Sequence, residues 1–240
     1  MDKLKALSLF LPVYNEEAHL ENTVEKAIPI LKQVSEKFEV VIVIDGSKDR
    51  SPQIAQQLAK KYSFIRIITH KVNRGYGAAF KSGLYGSKYE WLVLFDADGQ
   101  FDLSEITKFI DKQRETDADL VIGYYLKRAV PLVRIIGSKM WEWLVFLLFG
   151  LKVTDNDTGF KLINKKVADT VTNIEGERGP FANSEFLIKA KRAGFKIAEV
   201  GVHHYPRTAG KSSGASLKVI YTAYKDLFTL RSKINRSTSR

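Results

Sequence analysis

The sequence contains no cysteine, which excludes disulfide bonds and metal sites built on thiolates. It has only four histidines, two of them the neighbours His203 and His204, so a zinc site is not expected. No long apolar stretch follows the basic start of the chain, so we expect no signal peptide and a location in the cytoplasm. A reducing compartment is compatible with this composition.

Acidic residues are scarce relative to basic ones, with 27 Asp and Glu against 38 Lys and Arg and a formal net charge of +11. Such a balance predicts an anionic partner, which could be a nucleic acid, a phosphorylated small molecule or an acidic membrane surface. The chain has no RNP-type aromatic motif, zinc finger or basic zipper, so nucleic acid is not the expected partner. The length of 240 residues predicts a single catalytic-sized domain.

The stretch from Trp91 to Gln100 joins an apolar strand to a pair of carboxylates. Asp96 and Asp98 stand two apart on an extended segment, so they point the same way at the carboxyl end of the strand, where open α/β sheets bind ligands. Two carboxylates aimed at one point favour a hard cation such as Mg²⁺ or Mn²⁺, and Gln100 adds a neutral oxygen on the same face. The alternative is an acidic turn, with Asp102 capping the next helix. The position after a fully apolar strand favours the metal site.

Strands and helices alternate along the first half of the chain, which predicts a mostly parallel, doubly wound α/β sheet. The helix after the fourth strand has a capping-box signal at 102–105, and a fifth short strand follows at 119–123. Gly75 and Gly77 form half of a dinucleotide fingerprint, but they follow the third strand and lack a third glycine, so we interpret them as a tight turn that lets the backbone approach a phosphate or the sheet. The predicted early strands are 7–12, 38–45, 64–69 and 91–95.

A segment rich in Leu, Ile, Val, Phe and Trp runs from Val130 to Leu151. Its uncharged part, from Trp143 to Leu151, is far shorter than the roughly 20 residues that cross a bilayer. Two interpretations stay open: a buried helix, or a helix lying in the membrane interface with its Trp residues at headgroup level.

The last third of the chain carries further helix, strand and loop signals. A helix is predicted at 183–192 and a strand at 195–202, followed by a loop dense in Arg, Lys, hydroxyls and glycines at 203–214. The segment 216–234 is predicted to be a basic amphipathic helix, with Tyr221 and Phe228 on its apolar face and a disordered tail from Asn235. Such a helix suits an anionic membrane surface, and the alternative is a terminal helix docked on its own domain.

Four segments, in this order and spacing, resemble family 2 glycosyltransferases. They are LPVYNEE at 11–17, VIDGSKD at 43–49, NRGYGAA at 73–79 and DADGQ at 96–100. The polyprenyl-phosphate branch, which includes dolichyl-phosphate mannose synthases and dolichyl-phosphate glucosyltransferases, is similar in three further segments: DNDTGFK at 155–161, EVGV at 199–202 and RTAGKS at 207–212. The resemblance implies a single GT-A type domain over residues 1–215 with amphipathic interface helices, and a basic C-terminal helix and tail over 216–240.

The resemblance also implies an activity and the residues that carry it. The activity is metal-dependent, inverting transfer of a hexose from a nucleotide sugar of the GDP-mannose or UDP-glucose class to a polyprenyl phosphate, by a protein bound peripherally to the cytoplasmic face of a membrane. The implied residues are Pro12, Tyr14, Asn15, Glu16, Val43, Asp45 and Gly75 for the nucleotide; Asp96, Asp98 and Gln100 for Mg²⁺ or Mn²⁺; and Arg134, Arg207, Lys211 and Ser212 for the acceptor phosphate.

The chain departs from the family pattern at three positions. Ile44-Asp45 stands where relatives often have two acids, Tyr125 replaces a common basic residue, and Ser213 replaces a common lysine. Two of these changes fall near the expected acceptor phosphate site, where Lys127, Arg128 and Lys211 are the nearby basic residues.

The nature of the acceptor decides which catalytic groups are needed. An acceptor phosphate is already anionic and needs orientation by arginines, whereas a saccharide hydroxyl needs a general base. Asp155 is the first candidate for that base, with Asp157 and Glu185 as the other available carboxylates. A nucleotide- or membrane-binding module without catalysis is the third hypothesis.

Overall fold

The computed structural model describes residues 2–127, 132–177, 181–207 and 217–238. Within these ranges there are seven strands and eight α-helices, which alternate except that α6 and α7 follow each other. The strands are β1 (Leu4–Val13), β2 (Ser35–Asp45), β3 (Ile65–His70), β4 (Trp91–Phe95), β5 (Leu120–Tyr125), β6 (Phe160–Asn164) and β7 (Ile197–Val202). The helices are α1 (Leu20–Val34), α2 (Ser51–Lys61), α3 (Tyr76–Gly86), α4 (Ile106–Thr116), α5 (Leu132–Phe149), α6 (Lys165–Thr170), α7 (Phe181–Arg192) and α8 (Leu217–Thr238).

All seven strands form one sheet in the order β3-β2-β1-β4-β6-β5-β7. Strand β6 runs antiparallel to its neighbours β4 and β5, and the other pairs are parallel. The carboxyl ends of β1, β2, β3 and β4 therefore lie at one edge of the sheet. The predicted fold class, a mostly parallel α/β sheet, is confirmed.

Helices cover both faces of the sheet, because the central strands are apolar on both sides. Leu9 on β1 packs into a core shared with α1, α2 and α4. Its neighbour Phe10 points the opposite way, into a core shared with α3, α5, α7 and α8. The doubly wound arrangement expected from the sequence is thus present.

Several predicted boundaries were wrong by a few residues. Strand β5 extends to Tyr125, β7 begins at Ile197, and α7 begins at Phe181. The predicted capping box is only half formed: Asp102 accepts a hydrogen bond from the amide of Ser104, but Glu105 turns away to His203 and Lys108. The Glu105 carboxylate is instead bonded to the side chain of Lys108 and to the amide and ring of His203, which lie outside that turn.

The terminal helix docks on the body of the protein. Ala223, Leu227 and Leu230 of α8 are buried in the core beside α5 and α7. Tyr221 and Phe228, which were predicted to share one apolar face with Leu227, are exposed, so the predicted face is divided between the core and the surface. Because α8 continues to Thr238, the prediction of disorder from Asn235 was also wrong over residues 235–238.

Helix α5 is buried on one face, as the buried-helix interpretation expects, whereas the membrane-interface interpretation of its other face stays a prediction. Trp141 and Val145 are buried, whereas Ile136, Met140 and Trp143 are exposed. Over the described ranges, no helix combines the length and hydropathy needed to pass through a bilayer.

Candidate active site

The loops that leave β1 and β2 are tied to each other at the carboxyl edge of the sheet. The amide of Asn15 donates to Ser47 Oγ (3.1 Å), and the amide of Lys48 donates to Asn15 Oδ1 (2.8 Å). Asn15 adopts a left-handed conformation with φ of 57°, which this residue type tolerates better than most. The amide of Glu16 donates to Ser51 Oγ (2.9 Å), so Glu16 is fixed to the first turn of α2.

Three residues expected near the nucleotide differ in their exposure. Pro12 and Val43 are register partners on β1 and β2. Val43 is buried in the sheet, Pro12 is partly exposed, and Tyr14 is exposed at the rim. The ring of Tyr14 and part of Pro12 are therefore accessible beside the loops after β1 and β2.

Asp45, at the end of β2, fixes the glycine loop after β3. Its carboxylate is buried and accepts hydrogen bonds from the amides of Arg74 (2.9 Å) and Gly75 (2.8 Å) and from His70 Nδ1 (2.7 Å). Gly75 has φ of 102°, a conformation that favours glycine. The family resemblance implies that Asp45 and Gly75 lie near the nucleotide, whereas no sequence motif predicted a role for His70.

Asp96 and Asp98 follow β4 and lie close enough for their charges to interact. Burial first, and the charge of Asp98 second, raise the pKa of Asp96 to about 7. The amide of Asp96 donates to the carbonyl of Gly159 (3.1 Å), and a Cβ at Gly159 would overlap the Asp96 carboxylate. The glycine of the 155–161 segment thus makes room for Asp96.

Gln100 connects this loop to the segment after β7. Its amide donates to Asp98 Oδ1 (3.1 Å), and its side-chain Nε2 donates to the carbonyl of Tyr205 (3.0 Å). The amide of Tyr205 returns a hydrogen bond to the carbonyl of Gln100 (2.9 Å). The carboxyl ends of β4 and β7 are therefore held together.

A buried lysine lies among the carboxylates of the 155–161 segment. Lys161 is fully buried on β6, and its Nζ donates to the carbonyl of Thr158. Burial lowers its pKa to about 8, against the opposing effect of Asp157, Asp155 and Asp96. Lys161 is thus a countercharge for the acidic cluster, and a lysine inside an otherwise apolar strand was the sequence signal that could have identified it.

Tyr76 and Asn183 complete the buried polar wall behind Asp96. Asn183 Nδ2 donates to Asp157 Oδ1 (3.3 Å) and contacts the Tyr76 hydroxyl (3.5 Å). A hydrogen bond from Tyr76 in turn opposes the rise in the pKa of Asp96. The sequence reading did not single out Tyr76 or Asn183 as functional residues.

Asp155 is enclosed on the inner side of the same segment. It is buried, and its Oδ1 accepts a hydrogen bond from the amide of Asp157 (2.9 Å). The structure therefore places it beside the acidic cluster rather than at the open rim of the cleft.

Arg207, in the segment after β7, joins the loops after β1 and β4. Its guanidinium donates from Nη2 to Asp98 Oδ2 (2.6 Å) and from Nη1 to Glu16 Oε1 (3.2 Å). Burial raises the pKa of Glu16, Arg207 opposes that effect, and Asp98 adds to it. Of the other residues expected at the acceptor phosphate, Lys211, Ser212 and the side chain of Arg134 lie outside the part of the chain that the structure describes.

The donor set at Asp96 and Asp98 suits a hard divalent cation. It consists of two neighbouring carboxylates, oxygen donors of the kind that Mg²⁺ and Mn²⁺ take, with the backbone amide of Gln100 bound to Asp98. No group of three or more His, Asp or Glu side chains with metal-binding geometry occurs among the described residues. Two carboxylates fit a cation whose remaining ligands come from a diphosphate and water.

Comparison with solved structures shows the same fold elsewhere. Glucosyl-3-phosphoglycerate synthase from Mycobacterium tuberculosis, solved in complex with uridine diphosphate, has a TM-score of 0.68 and 17% sequence identity, over 95% of this chain and 79% of that chain. The same enzyme in complex with Mn²⁺, uridine diphosphate and glucosyl-3-phosphoglycerate has a TM-score of 0.66. The expected GT-A type fold is thereby confirmed.

Sequence comparison finds relatives named for transfer to dolichyl phosphate. The dolichyl-phosphate beta-glucosyltransferase ALG5A of Trichomonas vaginalis is 30% identical over 82% of this chain and 64% of its own length. The UDP-N-acetylglucosamine–dolichyl-phosphate N-acetylglucosaminyltransferase of Methanococcus voltae is 27% identical over 90% of this chain and 94% of its own length.

Some relatives are much longer than this chain. Glycosyltransferase AglD of Haloferax volcanii is 28% identical over 84% of this chain, but the match spans only 33% of AglD.

The family model of glycosyl transferase family 2 matches residues 8–172, which include the loops after β1, β2, β3 and β4. The chain therefore belongs to glycosyl transferase family 2.

Proposed function

We propose that this protein is a metal-dependent inverting glycosyltransferase that moves a hexose from a nucleotide sugar to a polyprenyl or dolichyl phosphate. The observation that carries the proposal is the pairing of Asp96 and Asp98 at the end of β4, with Arg207 bound beside them. An acidic pair that suits a cation and an arginine that suits a phosphate are thus side by side. Relatives named as dolichyl-phosphate transferases from Trichomonas vaginalis, Methanococcus voltae and Homo sapiens support this acceptor class.

The donor is a nucleotide sugar of the GDP-mannose or UDP-glucose class. The loops after β1, β2 and β3 form one hydrogen-bonded unit, because Asn15 binds the β2 loop and Asp45 binds the β3 loop. This unit lies beside the acidic pair, as the base and ribose of a nucleotide diphosphate require. We assign the nucleotide to Pro12, Tyr14, Asn15, Glu16, Val43, Asp45 and Gly75.

Cleavage of the bond between the anomeric carbon and the diphosphate builds negative charge on the leaving group. A Mg²⁺ or Mn²⁺ ion held by Asp96, Asp98 and Gln100 would neutralise that charge. The buried wall of Tyr76, Asn183 and Lys161 fixes the side of the pocket behind Asp96. The contribution of these side chains is to hold the carboxylates in a preorganised geometry.

The acceptor phosphate oxygen is already anionic at pH 7, so the site has to orient it rather than deprotonate it. Arg207 has the planar fork of donors that phosphate recognition uses. Asp155, the candidate base for a hydroxyl acceptor, is buried and accepts a hydrogen bond from the amide of Asp157. This environment favours a phosphate acceptor over a saccharide hydroxyl.

The exposed face of α5 fits a peripheral attachment to an anionic membrane. Its apolar side chains recur at helical spacing, and Trp143 is 62% exposed. Helix α8 contacts α5 and carries exposed basic residues, including Lys225 and Lys233. Apolar side chains beside basic ones are the pattern of a helix that lies in a lipid interface. A lipid acceptor would be delivered from that surface.

The proposal is tested by measuring transfer of radiolabelled sugar from GDP-mannose, UDP-glucose and UDP-N-acetylglucosamine, each with Mg²⁺ or Mn²⁺. A polyprenyl phosphate is compared with the matching polyprenol, and we expect only the phosphate to be glycosylated. Transfer to the free alcohol or to a saccharide would instead support the hydroxyl acceptor, with Asp155 as its base. Binding of nucleotide without turnover of any donor would support a binding module.

The Asp98→Ala variant tests the role of the acidic pair. We expect a loss of about a hundred- to a thousandfold in turnover, because removal of a group that stabilises transition-state charge has effects of this size. Asp111→Ala removes an exposed carboxylate from α4 and is the matched control. Turnover of Asp98→Ala comparable to that of the control would refute the assignment.

A further inference from the structure

Arg207 joins the loop after β7 to the loops after β1 and β4. Its side chain is 23% exposed, whereas those of Glu16 and Asp98 are 11% and 12% exposed. The Nη2 to Asp98 Oδ2 distance of 2.6 Å is short for a charge-assisted hydrogen bond. A residue assigned to the acceptor therefore makes its strongest contact with a residue assigned to the metal.

The base of the Arg207 segment is anchored on both sides. Tyr205 exchanges two hydrogen bonds with Gln100, and His203 donates from its amide (2.9 Å) and pairs through Nδ1 (2.8 Å) with Glu105. The backbone up to Tyr205 is thus fixed to the loop that follows Asp98. The guanidinium, at the end of a flexible side chain, is the part that can change partners.

Asp98 has both carboxylate oxygens engaged within the protein. Oδ1 accepts from the amide of Gln100, and Oδ2 accepts from Arg207. A divalent cation on Oδ2 would lie where the guanidinium lies, and like charges at that distance repel. Arg207 and the cation therefore compete for the same oxygen.

Resting on the proposed function, we propose that Arg207 is an exchangeable counter-ion of Asp98. A divalent cation arriving with the donor diphosphate displaces the guanidinium from Asp98 and releases it to the acceptor phosphate. The cation and the acceptor phosphate thereby bind with positive cooperativity, and the donor complex precedes the acceptor. Glu16, the second partner of the guanidinium, keeps Arg207 at the mouth of the cleft during the exchange.

The first consequence concerns the affinity for the cation alone. Because Arg207 must leave Asp98, its removal tightens Mn²⁺ binding. The cation has to break this charge-assisted contact in wild type, so we expect about a tenfold lower dissociation constant for the variant, which corresponds to about 1.4 kcal/mol. A purely structural role for Arg207 predicts the opposite, because a disordered Asp98 binds Mn²⁺ more weakly.

Titration of Mn²⁺ followed by electron paramagnetic resonance of the free ion measures this constant without turnover. Wild type is compared with Arg207→Gln, and with Arg50→Gln as the control. Arg50 is an exposed arginine of the same edge, paired with Glu17 at 3.1 Å, so its loss reports the effect of removing one positive charge. Tightening in Arg207→Gln well beyond Arg50→Gln supports the exchange, whereas equal or weaker binding overturns it. Arg207→Lys, which keeps the charge but not the fork, is expected to be intermediate and serves if Arg207→Gln does not fold.

The second consequence is coupling between cation and acceptor phosphate. Binding of farnesyl phosphate is measured by thermal shift with and without Mn²⁺ and uridine diphosphate. We expect about tenfold tighter binding in their presence in wild type and in Arg50→Gln, and no such change in Arg207→Gln. By linkage, farnesyl phosphate must tighten Mn²⁺ binding by the same factor.

The outcomes separate the exchange from the proposed function. Mn²⁺ binding to wild type without coupling, or with coupling that survives in Arg207→Gln, overturns the exchange and leaves the metal-dependent transferase intact. If wild type binds no Mn²⁺ even with uridine diphosphate or guanosine diphosphate, both the exchange and the metal dependence fall.

Discussion

The contact between Gly159 and Asp96 shows how one missing side chain positions a functional one. Alanine at residue 159 would place its Cβ on the Asp96 carboxylate, which would have to rotate away from Asp98. We expect Gly159→Ala to lower Mn²⁺ affinity and transfer by at least about tenfold, because a displacement of about 1 Å at a catalytic group has effects of this size.

Gly137→Ala is the matched control for that variant. Gly137 lies on α5 with open space around it, and alanine in a helix interior is more favourable than glycine. Mn²⁺ titration and turnover should be unchanged in Gly137→Ala. If Gly159→Ala binds Mn²⁺ as wild type does, Asp96 does not depend on that space.

Glu39 makes the stability of the sheet depend on pH. It is buried on β2 and accepts hydrogen bonds from Ser8 Oγ (2.7 Å), Arg66 Nε (2.8 Å) and the amide of Lys88 (2.9 Å). Burial alone would raise the pKa of Glu39, but these donors prevail and lower it. A carboxyl with a depressed pKa in the folded state contributes stability above its unfolded pKa of about 4.3, and that stability is lost as the pH falls through the folded pKa.

We therefore expect Glu39→Gln to reduce the free energy of unfolding by about 2 kcal/mol at pH 7, and by progressively less below about pH 4. Urea denaturation at several pH values measures the difference. Glu36→Gln, at an exposed position of the same strand, is the control. A difference that does not shrink in acid would show that the charge of Glu39 is not responsible.

At the residue scale, the sequence predicted side chains that stand in regular positions after strands. Asp96, Asp98 and Asp45 each follow an apolar run, and the structure places all three at the carboxyl edge of the sheet. His70 and Asn183 could not be predicted, because the carboxylates that they contact, Asp45 and Asp157, lie 25 residues or more away along the chain. Only the fold brings such groups together.

At the scale of elements, the regular alternation predicted β1 to β4 and the helices between them. The antiparallel insertion of β6 between β4 and β5 could not be predicted, because a strand's neighbour in a sheet is not encoded in its own hydrophobic period. This insertion places Gly159 and Lys161 beside β4. Strand β6, which lies beside Asp96, is thus the element that departs from the regular alternation of strands and helices.

Helix α5 has two faces with different partners. Its inner face is locked by Trp141, which donates to Ser184 Oγ (2.9 Å) and meets Tyr224 edge to face. Its outer face exposes Met140, Trp143 and Leu147.

The double variant Trp143→Ala with Leu147→Ala should bind vesicles containing phosphatidylserine at least about tenfold more weakly, since burial of each large apolar side chain contributes about 1.5–3 kcal/mol.

Vesicle co-sedimentation of that double variant measures the loss. Val72→Ala removes an exposed apolar side chain from the loop after β3 and should not change vesicle binding. Binding to neutral vesicles should be weaker than to anionic ones for every variant, because the basic residues of α8 add an electrostatic attraction. Unchanged affinity of the double variant would exclude α5 as the lipid-facing element.

At the scale of the whole molecule, one sheet separates two apolar cores. The core beside α1, α2 and α4 is built mainly from the first half of the chain, whereas the other joins α3 to α5, α7 and α8. The second core therefore links α3, which begins directly after Gly75, to α5, whose outer face is proposed to contact lipid. Both proposed substrates are held by elements that share one packed interior.

The packing of α8 bears on the predicted division into a catalytic domain at 1–215 and a terminal helix at 216–240. Leu227, Leu230 and Ala223 are buried in the second core, so the helix is a part of that core as well as a basic surface. Truncation after residue 215 would expose the apolar side chains beneath it, including Trp141. At about 1.5–3 kcal/mol for each fully buried leucine, the two leucines account for about 3–6 kcal/mol, a large part of the 5–15 kcal/mol typical of a domain. We expect the truncated chain to unfold at a melting temperature at least about 10 °C lower by calorimetry.

The variant Lys225→Gln with Lys233→Gln keeps the packed face and should lose vesicle binding with little change in melting temperature. Equal melting temperatures for the full and truncated chains would show that residues 1–215 fold independently of the helix.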